Sequence, residues 1–164
     1  MCTSKLWCVL PSGGWNQTLK LHSDIVKYNA LGVGKKIISI YDGDVIADVH
    51  KKTSYNDLPK SFLPIQSIEK YLLKKLCVEK DRGFSKLIGD KYFTQKSIKD
   101  IVNDYLNDER SVRDRNGKHL YNILLKNLSN NGIDEQKFVK YICEDISSYE
   151  DFSRFNASLG LLLE

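Results

Sequence analysis

The chain has 164 residues, of which 41% are hydrophobic and 28% are charged, a balance typical of a globular protein with a buried core. Its formal net charge of +4 is compatible with a nucleic-acid partner but is too small to predict one. No apolar run approaches the ~20 residues that a membrane span requires, and the residues after Met1 lack the apolar segment of a signal peptide. We therefore expect a cytoplasmic protein that does not bind a membrane.

The cysteines exclude two further classes of protein. Cys2, Cys8, Cys77 and Cys143 are widely spaced and form no C-x-x-C pair. This spacing argues against a zinc cluster, and a chain of this length does not need a disulfide framework. Free thiols in a reducing compartment are the better interpretation.

The beginning of the chain predicts alternating strands and helices. Lys5 to Leu10 is short and apolar, which favours a strand, and Pro11-Ser12-Gly13-Gly14 ends it with a turn. Trp15 to Leu31 has the apolar period of a helix. The run Ile37 to Tyr41 is short and β-branched, so we expect a buried strand. This order predicts a βαβ unit, which implies a parallel sheet.

The next segments extend this α/β pattern. Val45 to Lys52 fits either a short helix or a strand, and Thr53 to Pro59 has the polar composition of a loop. Ser61 to Ile65 is predicted to be an edge strand, because Pro64 cannot donate a ladder hydrogen bond. Gln66 to Glu79 has one apolar side and lysines elsewhere, which predicts an amphipathic helix.

Beyond residue 80 the sequence is helical in pattern. The predicted helices are Lys96 to Asp108, Lys118 to Asn130, Asp134 to Ile146 and Tyr149 to Leu163. The mixed charges of Asp108 to Arg115 predict an exposed loop. The fold class is therefore α/β, with a small parallel sheet in residues 1–80 and an all-α C-terminal region in residues 81–164.

The segment Asp42-Gly43-Asp44 is a candidate metal site. Two carboxylates at the carboxyl end of a strand can both reach the crevice in which open α/β sheets bind ligands. Mg²⁺ prefers oxygen ligands and commonly takes one or two carboxylates. The alternative is an ordinary Asp-Gly turn. The pair Gly13-Gly14 matches no phosphate-binding motif, so a turn that lets the next helix pack closely explains it better.

Two further charged residues are candidates for the same site. Glu69 lies in the first turn of a predicted helix, where the helix dipole favours a carboxylate with or without a function. If it points back toward Asp42 and Asp44, it adds another oxygen ligand. Lys118 also begins a predicted helix, a slightly unfavourable place for a cation. It is a candidate for contacting phosphate, although a solvated surface position is the commoner fate of a lysine.

Three segments, in this order, resemble a known nuclease family. They are Pro11 to Trp15 after the first predicted strand, Asp42-Gly43-Asp44, and Leu63 to Leu72. Together they resemble the C-terminal Toprim domain of OLD-family (overcoming lysogenization defect) proteins, which are ATPase-linked nucleases of phage defence. Asn116-Gly117-Lys118, followed by helices, resembles the helical tail of that family.

The resemblance implies a metal-dependent endonuclease that hydrolyses DNA phosphodiesters with Mg²⁺ or Mn²⁺. Asp42 and Asp44 match the D-x-D metal ligands. Ser67 and Glu69 fall in the additional metal-binding stretch, in which Glu69 is also a candidate catalytic residue. Lys118 matches a lysine that stabilises charge on the scissile phosphate. The implied partners are DNA and an ATPase domain or subunit, while homo-oligomer formation is left open.

The resemblance departs from the family pattern at its start. Toprim domains begin with a strand that carries a glutamate, ahead of the strand matched by Lys5 to Leu10, and this sequence starts after it. We therefore expect an incomplete Toprim domain, inactive if no other segment supplies the glutamate. The alternative from another class is a non-catalytic α/β and helical module that docks a partner. A phosphatase-like fold is less well supported, because the sequence lacks a D-x-D-x-[TV] motif.

Overall fold

The computed structural model describes residues 13–32, 36–146 and 150–163, which form two short strands and eight α-helices. The strands are β1 (Ser39–Tyr41) and β2 (Lys60–Phe62). The helices are α1 (Trp15–Lys27), α2 (Ile46–His50), α3 (Ile68–Leu73), α4 (Arg82–Tyr92), α5 (Ile98–Asn107), α6 (Lys118–Asn130), α7 (Glu135–Ile146) and α8 (Glu150–Leu163). A π-helical turn, Lys74–Val78, continues α3. The predicted strand Lys5 to Leu10 and the turn residues Pro11 and Ser12 lie outside the described residues.

The two strands pair in parallel, with Ser39 opposite Lys60 and Tyr41 opposite Phe62. The connection between them contains α2, so parallel pairing is reached through a helical crossover, as parallel strands require. The described chain is thus mostly helical with a two-stranded parallel sheet, which is compatible with the predicted α/β class.

A small core packs around the sheet. Leu19 of α1, Tyr41 of β1 and Val49 of α2 are buried together. His22 of α1 is also buried, and its Nδ1 lies 2.7 Å from the hydroxyl oxygen of Ser39. These contacts hold α1 against β1 and fix the direction in which the strand ends.

A larger core joins the helices from α3 to α7. Its fully buried members include Leu72 of α3, Ile101 of α5, Leu124 of α6 and Phe138 of α7. Helix α3 lies before residue 80, yet it packs against α6 in this same core. The predicted boundary between residues 80 and 81 stays a prediction.

Helix α4 was not predicted from the sequence. Asp81 caps it, since its side chain accepts a hydrogen bond from the amide of Phe84 at 2.9 Å. Phe84, Ile88 and Tyr92 recur every four residues and are all buried, so the helical period is present. Two glycines within the helix lower its intrinsic propensity and hide the pattern, and packing against the core overcomes that cost.

Other boundaries follow local backbone chemistry. Helix α1 ends at Lys27, four residues before the predicted end, and Asn29 then takes a left-handed conformation with φ of 50°. The ambiguous segment after Asp44 forms a 3₁₀ turn and then α2. The charge run after α5 is largely exposed, as predicted, and contains the 3₁₀ turn Glu109–Arg113. Each helix in the described part of the chain is too short or too polar to cross a bilayer.

The helical core predicts a clear difference between two leucine substitutions. Leu124→Ala removes a fully buried side chain and is expected to lower the free energy of unfolding by about 2–5 kcal/mol, because it loses burial and leaves a cavity. Leu161→Ala alters a side chain that is 74% exposed and should change stability by less than about 0.5 kcal/mol. Urea denaturation followed by circular dichroism measures both. Equal losses would contradict the assigned core.

Candidate functional site

A cavity of about 390 Å³ brings together all five residues that the sequence nominated, Asp42, Asp44, Ser67, Glu69 and Lys118. We call it the carboxylate pocket. It lies where β1 ends and where α1, α3 and α6 begin. Its other lining residues are Gly13, Gly14, Trp15, Thr18, Ile40, Tyr41, Val45, Leu63, Lys70 and Asn116.

Gly43 brings the two aspartates into the pocket through a close backbone contact. Its amide donates to the carbonyl oxygen of Ile65 at 2.9 Å. A Cβ atom at position 43 would lie 2.5 Å from that oxygen and 2.6 Å from the carbonyl oxygen of Leu63, so a side chain cannot fit. The segment is therefore a tight turn, and Asp42 and Asp44 on either side of Gly43 both line the pocket. An ordinary turn and a candidate metal site are thus compatible interpretations of this segment.

The N-terminus of α3 supplies the next part of the pocket. Ser67 is buried and caps the helix, because its hydroxyl oxygen accepts a hydrogen bond from the amide of Lys70 at 3.2 Å. Glu69 follows in the first helical turn and is half-buried. The cap thus fixes the direction of the turn that carries Glu69. The role of Ser67 as a metal ligand stays a prediction.

Gly117 places Lys118 at the pocket. It has φ of 71°, and a Cβ atom there would lie 2.3 Å from the carbonyl oxygen of Glu69 and 3.1 Å from Cβ of Leu73. The start of α6 therefore sits directly on the first turn of α3. Asp114 holds this start in place, since its carboxylate accepts hydrogen bonds from the first amides of α6. Lys118 is exposed and lines the carboxylate pocket together with Asp42, Asp44 and Glu69.

The three carboxylates repel one another. Partial removal of water from the Asp42 carboxyl group, followed by the negative charges of Asp44 and Glu69, raises the pKa of Asp42 above its usual value. Lys70 offsets part of this charge, because its ammonium nitrogen lies 2.9 Å from Oδ2 of Asp44. These two side chains are 23% and 26% exposed, so the pair is only partly hydrated. The pocket favours the entry of positive charge.

A hard divalent cation is one such charge. Carboxylate oxygens are suitable ligands for Mg²⁺ or Mn²⁺, and Mg²⁺ usually keeps water and phosphate oxygens in its shell beside one or two carboxylates. Within residues 13–32, 36–146 and 150–163, no three His, Cys, Asp or Glu side chains form a group that could hold an ion. One or two of Asp42, Asp44 and Glu69 could therefore serve as ligands to such an ion, with water completing its shell.

Sequence reasoning missed three polar lining residues, Thr18, Lys70 and Asn116. Lys70 follows Glu69 directly, but the lysines of this helix were predicted only to form its polar, solvent-facing side. Gly13 and Gly14, interpreted as a turn before α1, also line the pocket beside Asp42. A glycine pair that matches no phosphate-binding motif occurs in many turns, so the sequence could not predict that these two residues line the pocket.

The comparisons with known proteins add no family assignment. No family model, no curated protein and no solved structure matches the chain. The likeness of three segments to OLD-family Toprim domains therefore remains a prediction from the sequence. No relative of known function assigns roles to the residues of the pocket.

The Gly117 contact predicts a position-specific loss of stability. Gly117→Ala should lower the free energy of unfolding by about 1–3 kcal/mol more than Gly132→Ala, because only the first methyl group meets backbone atoms of α3. Gly132 is a matched control, since its φ of 68° gives the same backbone strain and a Cβ atom there would have no neighbour within 4 Å. Urea denaturation measures the difference. Equal losses would show that the contact with Glu69 is unimportant.

The raised pKa of Asp42 predicts a pH-dependent effect of Asp42→Asn in metal-free buffer. A raised pKa means that the folded protein binds this proton more tightly than the unfolded chain, so ionisation of Asp42 opposes folding. At pH 7 we expect Asp42→Asn to have a slightly higher melting temperature than the wild type. The gain should disappear as the pH falls below the ordinary aspartate range, about 3.9. Asp48→Asn, which alters an exposed aspartate paired with Lys51, should show no gain.

Proposed function

We propose that the chain is a metal-dependent endonuclease domain of Toprim type, similar to that of OLD-family proteins, which hydrolyses DNA phosphodiesters with Mg²⁺ or Mn²⁺. The observation that carries this proposal is the convergence of Asp42, Asp44, Glu69 and Lys118 at one pocket. These residues belong to three separate segments of the sequence, and the sequence alone nominates each of them for the same reaction. Ordinary turn and capping roles give no reason for all of them to meet.

Each of these four residues has a role in the proposed reaction. A divalent ion held by Asp42 and Asp44 would supply positive charge beside the scissile phosphate and would help a water molecule to ionise. Glu69 either takes the place of one aspartate as a ligand or serves as the base that accepts the proton of the attacking water. Lys118 extends an ammonium group toward the phosphate and offsets the negative charge that develops as the bond breaks.

The ion pair between Lys70 and Asp44 limits which oxygen of Asp44 could bind a metal ion. Lys70 lies on Oδ2, so Oδ1 would be the ligand while the pair persists. Both side chains are less than one third exposed, so breaking the pair costs more than breaking a surface ion pair. Lys70 therefore stays beside the pocket, where its other ammonium hydrogens can contact the phosphate of the substrate.

The partners of this activity follow from the same proposal. DNA is the substrate, and an ATPase domain or subunit would regulate access to it, as in the family that the sequence resembles. A second candidate function is non-catalytic docking of a protein partner. Apolar side chains on the outer side of α1 and the turn after it favour that candidate, notably Tyr28, which is 69% exposed, together with Val26 and Leu31.

A plasmid-cleavage assay tests the endonuclease. If Glu69 acts as the base in place of the glutamate that the Toprim pattern expects earlier in the chain, purified chain with Mn²⁺ or Mg²⁺ should nick supercoiled plasmid, and EDTA should stop the reaction. Asp42→Asn should reduce the rate on the order of 100-fold, because the neutral amide holds the divalent ion that would stabilise transition-state charge more weakly than the carboxylate does. Asp48→Asn is the matched control and should retain full activity, because Asp48 does not line the pocket.

Two outcomes would contradict the proposal. Cleavage by Asp42→Asn at the wild-type rate would place the activity outside the carboxylate pocket. A wild-type chain that cuts nothing with either metal ion, while remaining folded by circular dichroism, would favour the docking function.

A further inference from the structure

A second cavity, of about 520 Å³, shares Lys70 with the carboxylate pocket. We call it the basic groove. Its charged lining residues are Lys70, Lys74 and Arg115, and among the described residues that line it none is acidic. The remaining surface is largely apolar and includes Tyr71 and Val78. The groove therefore combines positive charge with an apolar floor, next to the pocket of opposite charge.

The groove is built mainly from one helical face. Lys70, Lys74 and Val78 recur every four residues along α3 and the π-helical turn after it, and Tyr71 follows Lys70 directly. That turn closes with a hydrogen bond from the amide of Glu79 to the carbonyl oxygen of Lys74 at 2.8 Å. Widened turns of this kind are frequent at functional sites. The face is continuous, so a ligand can lie along it.

The cations of the groove are accessible to a ligand. Arg115 is exposed, and none of the ion pairs found among the described residues includes it. Lys74 is exposed and pairs with Glu79 at 3.3 Å, a surface contact of little strength. Lys70 pairs with Asp44 at the boundary between the two cavities. Arg115 can bind a phosphate oxygen directly, Lys74 can exchange its contact with Glu79 for one, and Lys70 can bind one beside its contact with Asp44.

The apolar floor distinguishes the groove from a simple anion site. Val78 is 73% exposed and lies beside Lys74 in the lining of the groove, so its apolar surface is open to a ligand there. Tyr71 is half-buried, and its ring packs edge-on against Phe84, which fixes its orientation. A fixed aromatic ring between cations is the arrangement on which unpaired bases stack while lysine and arginine bind the backbone.

We infer that the basic groove binds a single DNA strand, with bases against Tyr71 and Val78 and with phosphates on Lys74 and Arg115. This inference rests on the proposed function, because it takes that strand to be the substrate whose phosphodiester enters the carboxylate pocket. Lys70 lines both cavities, so it contacts the backbone where the strand passes from one cavity to the other. A duplex buries its base faces and cannot use the apolar floor, so the groove selects an unpaired strand, which a supercoiled plasmid offers where its duplex opens locally.

Fluorescence anisotropy with a labelled oligo-dT strand tests the groove in EDTA, where no cleavage occurs. Arg115→Gln and Lys74→Gln should each weaken binding several-fold at low salt and should each reduce the slope of log affinity against log salt by about 0.7. Arg113→Gln is the matched control, an exposed arginine on the adjacent 3₁₀ turn that does not line the groove, and it should leave the slope unchanged. Tyr71→Leu keeps an apolar side chain and should weaken binding about fivefold or more through lost stacking.

The outcomes separate this inference from the endonuclease proposal. No strand binding by the folded wild type, equal losses from Arg115→Gln and Arg113→Gln, or tighter binding of a duplex of equal length would each overturn the groove assignment. Cleavage that needs Asp42 but ignores Arg115 and Lys74 would overturn it too, and would leave the endonuclease standing. Arg115-dependent strand binding without cleavage in Mn²⁺ would support the groove and reject the endonuclease.

Discussion

The contact of the Gly117 backbone with the carbonyl group of Glu69 is the constraint on which the rest of the arrangement depends. It allows α6 to pack against α3 so closely that Leu72 and Leu124 share one core. The same contact brings the segment that carries Lys118 to the edge of the sheet. A residue with a side chain at this position would separate the helical core from the carboxylates. The packing of α6 on α3 and the position of Lys118 at the pocket therefore both depend on this one contact.

Charge is distributed over this framework in two adjoining regions of opposite sign. Asp42, Asp44 and Glu69 concentrate negative charge in one cavity, while Lys74 and Arg115 line the other. The formal charge of the whole chain, +4, conceals this separation. Local fields of this kind determine where ions and polyanions approach a protein, whereas net charge governs mainly its solubility. The functional proposals therefore depend on charge placement that composition does not show.

The sequence predicted those features that local chemistry determines. The bounds of α6 were predicted to the residue, because Gly117 and Asn131 mark its ends. The end of β1 before Asp42 was also predicted, because the Asp-Gly dipeptide is a turn signal. Features that depend on packing were missed. Helix α4 forms on the core despite its glycines, and the place of Lys70 depends on the rotation of α3, which an amphipathic pattern fixes only roughly. The family resemblance and the metal ligands stay predictions.

The π-helical turn after α3 has a consequence for the directions of the side chains in this segment. Such a turn holds one residue more than a regular turn of helix. If the same residues wound as a regular α-helix, everything after the turn would be rotated by about 100°. Leu76, now in the core, and Val78, now facing outward, would then lose their present directions together. A substitution that closes the wide turn without shortening the chain should therefore disturb the core and the outer surface of this segment at once.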